Sequence, residues 1–583
     1  MPHRILIRYM HSIVRHLFCC TLLCAALPLK SEVDRKIIGY GWDLLAATPD
    51  ILAANADKLD ASGLDGVFVE IRFTDGKERF SSQTIATDRA WPRVALEFSS
   101  LASLKRFKEH CGLKESLLGA WFMPQRRLDW MDDAAWACFA GNMGELARLA
   151  NISGLKGLFL DTEDYAHQSQ FTYCPGKDGA SREEAACIAR RRGCEMSTAI
   201  FGAHPSAILL ATWFLSVRQG YAISSDPDGA LRSSGDLWPA FLNGMLDAAP
   251  SHARFVDGCE TGYQLDASLN EFHLESTRMR KGVERLVSPE NREKFKEPFA
   301  TAFGLYLDMY VNKPGGSYFF GPASDGSRLT RFRQNLEQAL ECSTSGYVWV
   351  YGERHSFVEW GSVPRRLGEF QKRWGDRLRD KVGAWEGALP GLADAMRHAK
   401  DRDGMLRREI AQMESSGTLV NLLGNGQCRL PGADGVPKGF WTWTAPRSPE
   451  NVFSHDLSCG HGDTSSIVVR GRANAVAGAD VPVRPGEVLY ASFWMKGDGG
   501  RGSVAFKKGD GFEWKWPREV MVFSAPDADG WRKGEVFADV PEGATKATLM
   551  ASAFLDEGQS VWFDDFKVCA PAVPSGSASR RFR

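Results

Sequence analysis

From residue 36 to about residue 360 the chain repeats one pattern: a short apolar run that stops at charged or aromatic residues, then a stretch with helical spacing. The apolar runs are Lys36–Asp43, Gly63–Arg72, Leu117–Pro124, Gly154–Asp161, Ala207–Ser216, Ala253–Tyr263, Ala302–Tyr310 and Gly346–Glu353. Helical spacing falls at 49–59, 99–110, 132–149, 238–249, 270–287 and 329–341, and Asp132 and Asp133 suit a first helical turn. Residues 166–205 read as a long excursion. Eight strand–helix units predict an α/β fold, a (β/α)8 TIM barrel over 35–365. A doubly wound open sheet is the alternative, disfavoured because no glycine-rich phosphate turn follows the first strand.

Beyond the barrel the texture changes twice. Residues 366–417 are charged and helical in pattern, Lys372 to Trp385 and Leu392 to Met413, and read as a helical linker. From 418 to 570 short alternating strands with Gly and Pro turns replace helical periodicity, as at Thr464–Arg470, Val488–Trp494 and Val561–Val568. That is an all-β, jelly-roll-like sandwich. The Ser- and Arg-rich stretch 571–583 is expected to be a disordered tail. At the other end, Arg4, Arg8 and Arg15 precede the apolar run Leu17–Leu27, shorter than the about 20 residues of a membrane span. This predicts a signal peptide over 1–26, with secretion or periplasmic export; a lipid anchor through Cys20 or Cys24 is a weaker alternative.

Composition narrows the partners. With 71 basic and 72 acidic residues the net charge is -1, which argues against a nucleic-acid partner. The 18 Trp are the unusual figure, because indole rings stack on the flat apolar faces of sugars. Oligomeric state stays open. The Cys spacing matches no zinc pattern. Cys174, Cys187 and Cys194 share one polar stretch that could hold a disulfide, and Cys138, Cys259 and Cys342 read as buried thiols. Arg190–Arg192 reads as an exposed helix face, with an anionic ligand as the alternative.

The candidate chemistry sits where the fourth run gives out. Leu158–Leu160 reads as a buried strand, and Asp161 and Glu163, two apart, share a face at its carboxyl end, where barrels place their active sites. An acidic N-cap for the next helix is the plainer reading. Predicted strand ends also supply Glu70, Glu260, Asp308 and Glu353. Glycosidic cleavage needs one carboxyl as acid and another as nucleophile or base. The assignment is Asp161 as nucleophile or base, Glu260 as acid/base and Glu163 as a tuning or binding group, with Glu353 the competing acid. Trp42, Trp121, Trp213, Tyr263, Tyr310, Trp349 and Tyr351 are candidate substrate-binding aromatics, each open to a core role. Clustered acids could instead hold Ca²⁺ or Mg²⁺ through Asp161, Glu163 and Asp308, with His355 the nearest His. The expectation is a carbohydrate substrate and no metal or cofactor.

Two resemblances add to this. Asn421, Gly439-Phe-Trp441, Val483, Pro485-Gly486, Tyr490–Trp494, Gly530-Trp531, Pro541 and Val561–Phe566 together resemble the carbohydrate-binding β-sandwich modules attached to polysaccharide-degrading enzymes. That resemblance makes Trp441, Trp443, Trp514 and Trp516 the candidate stacking residues, whereas Trp494 and Trp562 alternate with apolar neighbours and read as core. The barrel is similar to glycoside-hydrolase-type barrels. Lys156-Gly-Leu-Phe-Leu-Asp161-Thr-Glu163 resembles a chitinase-type fourth strand, although that motif's earlier Asp positions fall on Lys156 and Leu158 here. The barrel α-glycosidases, with a fourth-strand Asp nucleophile and a sixth-strand acid, are an equal analogy and would use Asp161 and Glu260. The alternative function is a non-catalytic glycan-binding protein on a degenerate barrel.

Overall fold

The computed structural model describes residues 34–571, apart from 179–180, 317, 324–325, 361–383, 433–434, 447–451, 514–515, 517 and 542. The expected signal peptide, the first part of the linker and nearly all of the tail lie outside the described residues. The described chain forms two compact units, one from residues within 1–319 and 332–400, the other from 320–331 and 401–583.

The first unit is an α/β barrel. Its strands are β1 (Lys36–Gly41), β2 (Gly66–Val69), β3 (Leu117–Trp121), β4 (Gly157–Asp161), β5 (Ile208–Ala211), β6 (Arg254–Asp257), β7 in two segments (Phe299–Thr301 and Phe303–Tyr306) and β8 (Tyr347–Gly352). Neighbours pair in parallel from β1 to β7, and β8 pairs with β1. The first segment of β7 pairs with β6 and the second with β8, with only Ala302 between them, so this run closes the ring. Alternate residues point inward and fill the barrel: Ile38 and Tyr40, Phe68, Phe159, Ile208 and Leu210, Val256, Ala300 and Ala302, Tyr347 and Trp349. Gly119 is required there, because a Cβ would stand 1.8 Å from the Phe68 ring.

Two strands end sooner than their apolar runs suggest. The buried Asp257 carboxylate accepts from the backbone N–H groups of Leu215 (2.7 Å) and Ser216 (2.8 Å), turning the chain away after Ala211. After β6, Cys259 adopts a left-handed backbone (φ 42°) and Glu260–Gln264 winds into a 3-10 turn. At the amino end of the barrel Glu115 accepts from Tyr347 (2.6 Å) and pairs with Lys36 (3.1 Å) and Lys156 (3.6 Å). An acid buried at that end is therefore balanced by cations.

Helices at Arg93–His110, Asp133–Ser153, Trp238–Ala248 and Arg328–Cys342 follow the predicted spacing. Residues 49–59 hold two short helices, Pro49–Ala54 and Ala56–Ala61. The expected excursion is largely a helix, Arg182–Ala203, started by Ser181, whose side chain accepts from Glu184 N. Its Arg run is a solvated face only in part: Arg191 is exposed, Arg190 partly so, and Arg192 turns inward. Arg192 is 1% exposed and donates to Trp130 O (2.9 and 3.2 Å), while Arg190 holds Asp247 and Glu290. Helix dipoles and apolar spacing gave no sign that a guanidinium would staple this helix to its neighbour. Cys174, Cys187 and Cys194 are free, and the last two stand on this helix.

The second unit is the sandwich. One sheet runs Trp441–Thr444, Ala473–Pro482, Lys546–Leu555, Gly500–Lys508 and Gly511–Phe512, with Glu519–Val520 also on Gly500–Lys508. The other runs Phe453–Asp456, Ser466–Arg470, Ser560–Cys569, Val488–Lys496, Trp531–Asp539 and Val522–Phe523. The pairing is antiparallel throughout. The inner faces meet in a core that includes Ala475, Ala477, Leu489, Phe493, Leu549, Ala551, Phe563 and Phe566. The predicted Leu392–Met413 helix is two helices, Leu392–Lys400 and Arg402–Ser415. The first belongs to the barrel unit, where Lys400 pairs with Asp65 (2.7 Å). The second belongs to the sandwich unit, where Leu406 and Ile410 pack with Val488, Tyr490 and Phe537.

Candidate functional site

β4 carries the centre of the site. Phe159 points into the barrel, so Asp161, two residues on, points the same way at the carboxyl end. Asp161 is fully buried. Its Oδ2 accepts from the hydroxyls of Tyr40 (2.6 Å) and Tyr165 (3.0 Å), and its Oδ1 from Glu163 N (3.1 Å). Burial pushes its carboxyl up to about 6, and the Glu163 charge adds to the rise against the phenol hydrogen bonds. Glu260, on the turn after β6, is pushed up to about 8 by burial, then by Glu163 and Asp161. Glu163 and Glu260 are each partly exposed. No Lys or Arg among the described residues pairs with any of these three acids, in contrast to Glu115 at the opposite end. The acids do not cap a helix either, because Ser181 takes that role.

A second acidic group lies past β7 and β8. Asp308, also fully buried, accepts from Glu353 N (2.8 Å) and Arg354 N (3.2 Å), and Arg354 Nε lies 3.4 Å away. Burial raises its carboxyl to about 6. Glu353 accepts from the Tyr351 hydroxyl (3.1 Å), and that hydroxyl accepts from Trp42 Nε1. Among the described residues no group of three or more His, Cys, Asp or Glu is arranged to hold a metal ion.

Aromatic rings join the two groups. Tyr351 lies 5.2 Å from Tyr40, 5.4 Å from Tyr306 and 6.1 Å from Tyr263, the last nearly parallel at 9°. Trp121, at the end of β3, stands beside Asp161 in register and packs on Tyr165 (4.9 Å).

The structure thus brings Asp161, Glu163, Glu260, Trp121, Tyr263, Tyr351, Trp42 and Glu353 to the carboxyl ends of the strands. Four expected binding residues have other surroundings. Glu70 is buried and accepts from Arg72 (2.7 and 2.9 Å), Ser81 (2.7 Å) and Gln83 (2.7 Å), pinned by the hairpin 72–81. Trp349 is wholly buried in the barrel interior, donating to Gly258 O (2.8 Å). Tyr310 is core against Phe332, its hydroxyl accepting from Asn335 (2.8 Å). Trp213 packs on Trp238, with the Arg218 guanidinium 4.7 Å over its ring. Tyr40, Tyr165 and Tyr306 were missed. Tyr40 was within reach of the alternation rule, because it shares a face with Ile38 on β1.

On the sandwich, Trp441 is partly and Trp443 half exposed, Trp516 packs partly on the core, and Trp514 lies outside the described residues. Trp494 and Trp562 are not core. Their neighbours Phe493, Met495, Val561 and Phe563 point inward, so alternation turns both indoles to the outer face. There Trp494 stacks on His461 (3.8 Å) and Trp562 donates to Asp456 (3.0 Å).

No family model matches the chain, and no curated protein matches it significantly. Among solved structures it is similar to the enzymatically active domain of bacteriophage CBA120 tailspike protein 4, at 14% identity over 26% of this chain and 21% of that one, with a TM-score of 0.21. It is similar to TmCBM61 in complex with β-1,4-galactotriose, at 16% identity over 26% of this chain and 99% of that one, with a TM-score of 0.20. It is also similar to the CBM22-1–GH10 modules of Clostridium thermocellum endo-1,4-β-D-xylanase 10B complexed with xylohexaose, at 17% identity over 23% of this chain and 26% of that one, with a TM-score of 0.18. The chain therefore spans about a fifth of the tailspike domain and a quarter of the xylanase modules. Among the described residues no helix is long and apolar enough to cross a membrane.

Proposed function

We propose that the chain is an exported glycoside hydrolase: a catalytic barrel over 35–365, a helical segment over 366–417 and an accessory glycan-binding sandwich over 418–570. One observation carries the reading. Asp161, Glu163 and Glu260 share the carboxyl end of the barrel, and among the described residues no Lys or Arg pairs with them. Burying such a group is costly unless the protein uses the proton that one member is forced to keep.

The roles follow from exposure. Glu260, pushed up to about 8 and partly exposed, holds a proton at neutral pH and donates it to the leaving glycosidic oxygen. Glu163, also partly exposed, supplies the second carboxyl, which attacks the anomeric carbon or takes a proton from water. Asp161 has both oxygens engaged from within the protein, so its part is to set the field and geometry behind Glu163. Tyr263, Tyr306 and Tyr351 offer ring faces to a sugar. Binding without cleavage is the second reading, favoured by that complete burial of Asp161.

New reducing ends, measured after incubating the purified chain with plant, algal and host glycans, separate the two. Release from any glycan supports hydrolysis. Retention on a glycan without release supports binding alone.

A further inference from the structure

The outer face of the sheet that begins with Trp441 carries a second arrangement, distinct from the barrel. Its inward positions alternate with outward ones, and the register lines the outward ones up in rows. One row crosses Trp443, Val476, Ser552 and Arg501. The next crosses Trp441, Gly478, Met550 and Ser503. Trp441 lies flat over Gly478, where a Cβ would come within 2.2 Å of the indole. Trp443 is 50% exposed beside it. Three strand spacings, about 14 Å, separate the indole edge from the Arg501 strand.

The far side of this trough is cationic. Arg501 lies over Phe554 at 5.3 Å, and Arg518 anchors by Nε on Ser503 Oγ (3.1 Å) with Nη2 against Met550. Neither guanidinium has a carboxylate partner among the described residues. The floor's own acid, Asp480, is already taken by Lys507 (2.8 and 3.0 Å), Thr548 (2.8 Å) and Trp441 Nε1 (3.2 Å). Between the two sides Ser552 stands on the outer face in register with Val476 and Arg501 and adds a hydroxyl. Two indoles, one hydroxyl and two guanidiniums without a carboxylate partner match a ligand that has apolar ring faces, hydroxyls and anions together.

We propose that this face binds an acidic polysaccharide, stacking a sugar ring on Trp443 and Trp441 and pairing its carboxylate or sulfate groups with Arg501 and Arg518. The inference rests on the reading of the sandwich as glycan-binding, and adds the charge of the glycan. Arg favours such groups because its planar fork donates two parallel hydrogen bonds to either oxyanion.

Affinity electrophoresis of the full chain in gels holding polygalacturonate, a sulfated galactan or neutral xylan tests it. The expected result is stronger retardation by an acidic gel than by xylan, weakened by salt. Polygalacturonate against sulfated galactan then distinguishes carboxylate from sulfate. R501Q with R518Q should weaken retention at least about tenfold, the loss that follows from removing charge-assisted hydrogen bonds. W443A should weaken it in acidic and neutral gels alike. Unchanged thermal unfolding of each variant excludes misfolding. Equal retention by xylan, unaltered in the double variant, would overturn the charge preference and leave a neutral glycan site. No retention by any gel would overturn the glycan-binding reading as well. Retention that survives W443A, or equal retention by single-stranded DNA, would also overturn the proposal.

Discussion

Replacing Tyr40 by Phe removes one oxygen and keeps the ring that packs on Phe68 and Phe159 (4.8 and 5.1 Å). The lost group is the 2.6 Å donor to Asp161 Oδ2, which holds that carboxyl down against burial. A hydrogen bond to a charged group is worth about 1.5–3 kcal/mol, and each pKa unit corresponds to about 1.4 kcal/mol. Asp161 should therefore rise from about 6 by roughly one to two units. Its folded value already exceeds the ordinary 3.8, so the folded chain retains a proton that the unfolded chain releases. Stability is lost as pH rises through that window, and in the variant the window widens upward. The assay is thermal unfolding from pH 4 to 8, beside the pH profile of kcat/KM on a glycan the wild type cleaves. The variant should show the steeper loss of melting temperature between pH 6 and 8, and an acidic limb of the rate profile moved up by about one unit. Parallel stability curves with an unmoved limb would refute the coupling between Tyr40 and Asp161.

Glu260→Gln should flatten a second stability slope. The folded-state value of about 8 lies above the ordinary 4.5, so the wild type loses stability from pH 4.5 to 8 and the variant should lose less, read as melting temperature against pH. Arg192→Met leaves the Trp130 carbonyl without its donor and should cost about 1–3 kcal/mol, read by denaturant unfolding. Asp480→Asn breaks the pair with Lys507, whose side chain is 8% exposed; partial exposure of Asp480 limits the expected loss to about 1–3 kcal/mol, read the same way.

Strand order and the acids at strand ends were legible because buried parallel strands are continuous apolar runs, and each stops where polar groups begin. Asp161, Glu163 and Glu260 came from that rule alone. What alternation cannot show is where a side chain turns once the strand has ended. Glu70 has the right phase on β2, yet the hairpin after it supplies three hydrogen bonds and Gln83 a fourth, which draw it aside. Tyr310 and Trp349 carry the residue type of a sugar platform, but barrel closure puts one in the interior and the other under a helix. Trp494 and Trp562 show the opposite failure. Their apolar neighbours signalled core, while the period of two places an indole on the face that those neighbours leave. Arg192 was illegible, since its partner Trp130 O is a backbone atom 62 residues away in the chain.

The most direct test of the central claim is the turnover of Glu260→Gln and Glu163→Gln on a glycan that the wild type cleaves, with binding measured in parallel. Each variant should bind that glycan and cleave it about 10²–10⁴ times more slowly. Full turnover by both would contradict the account.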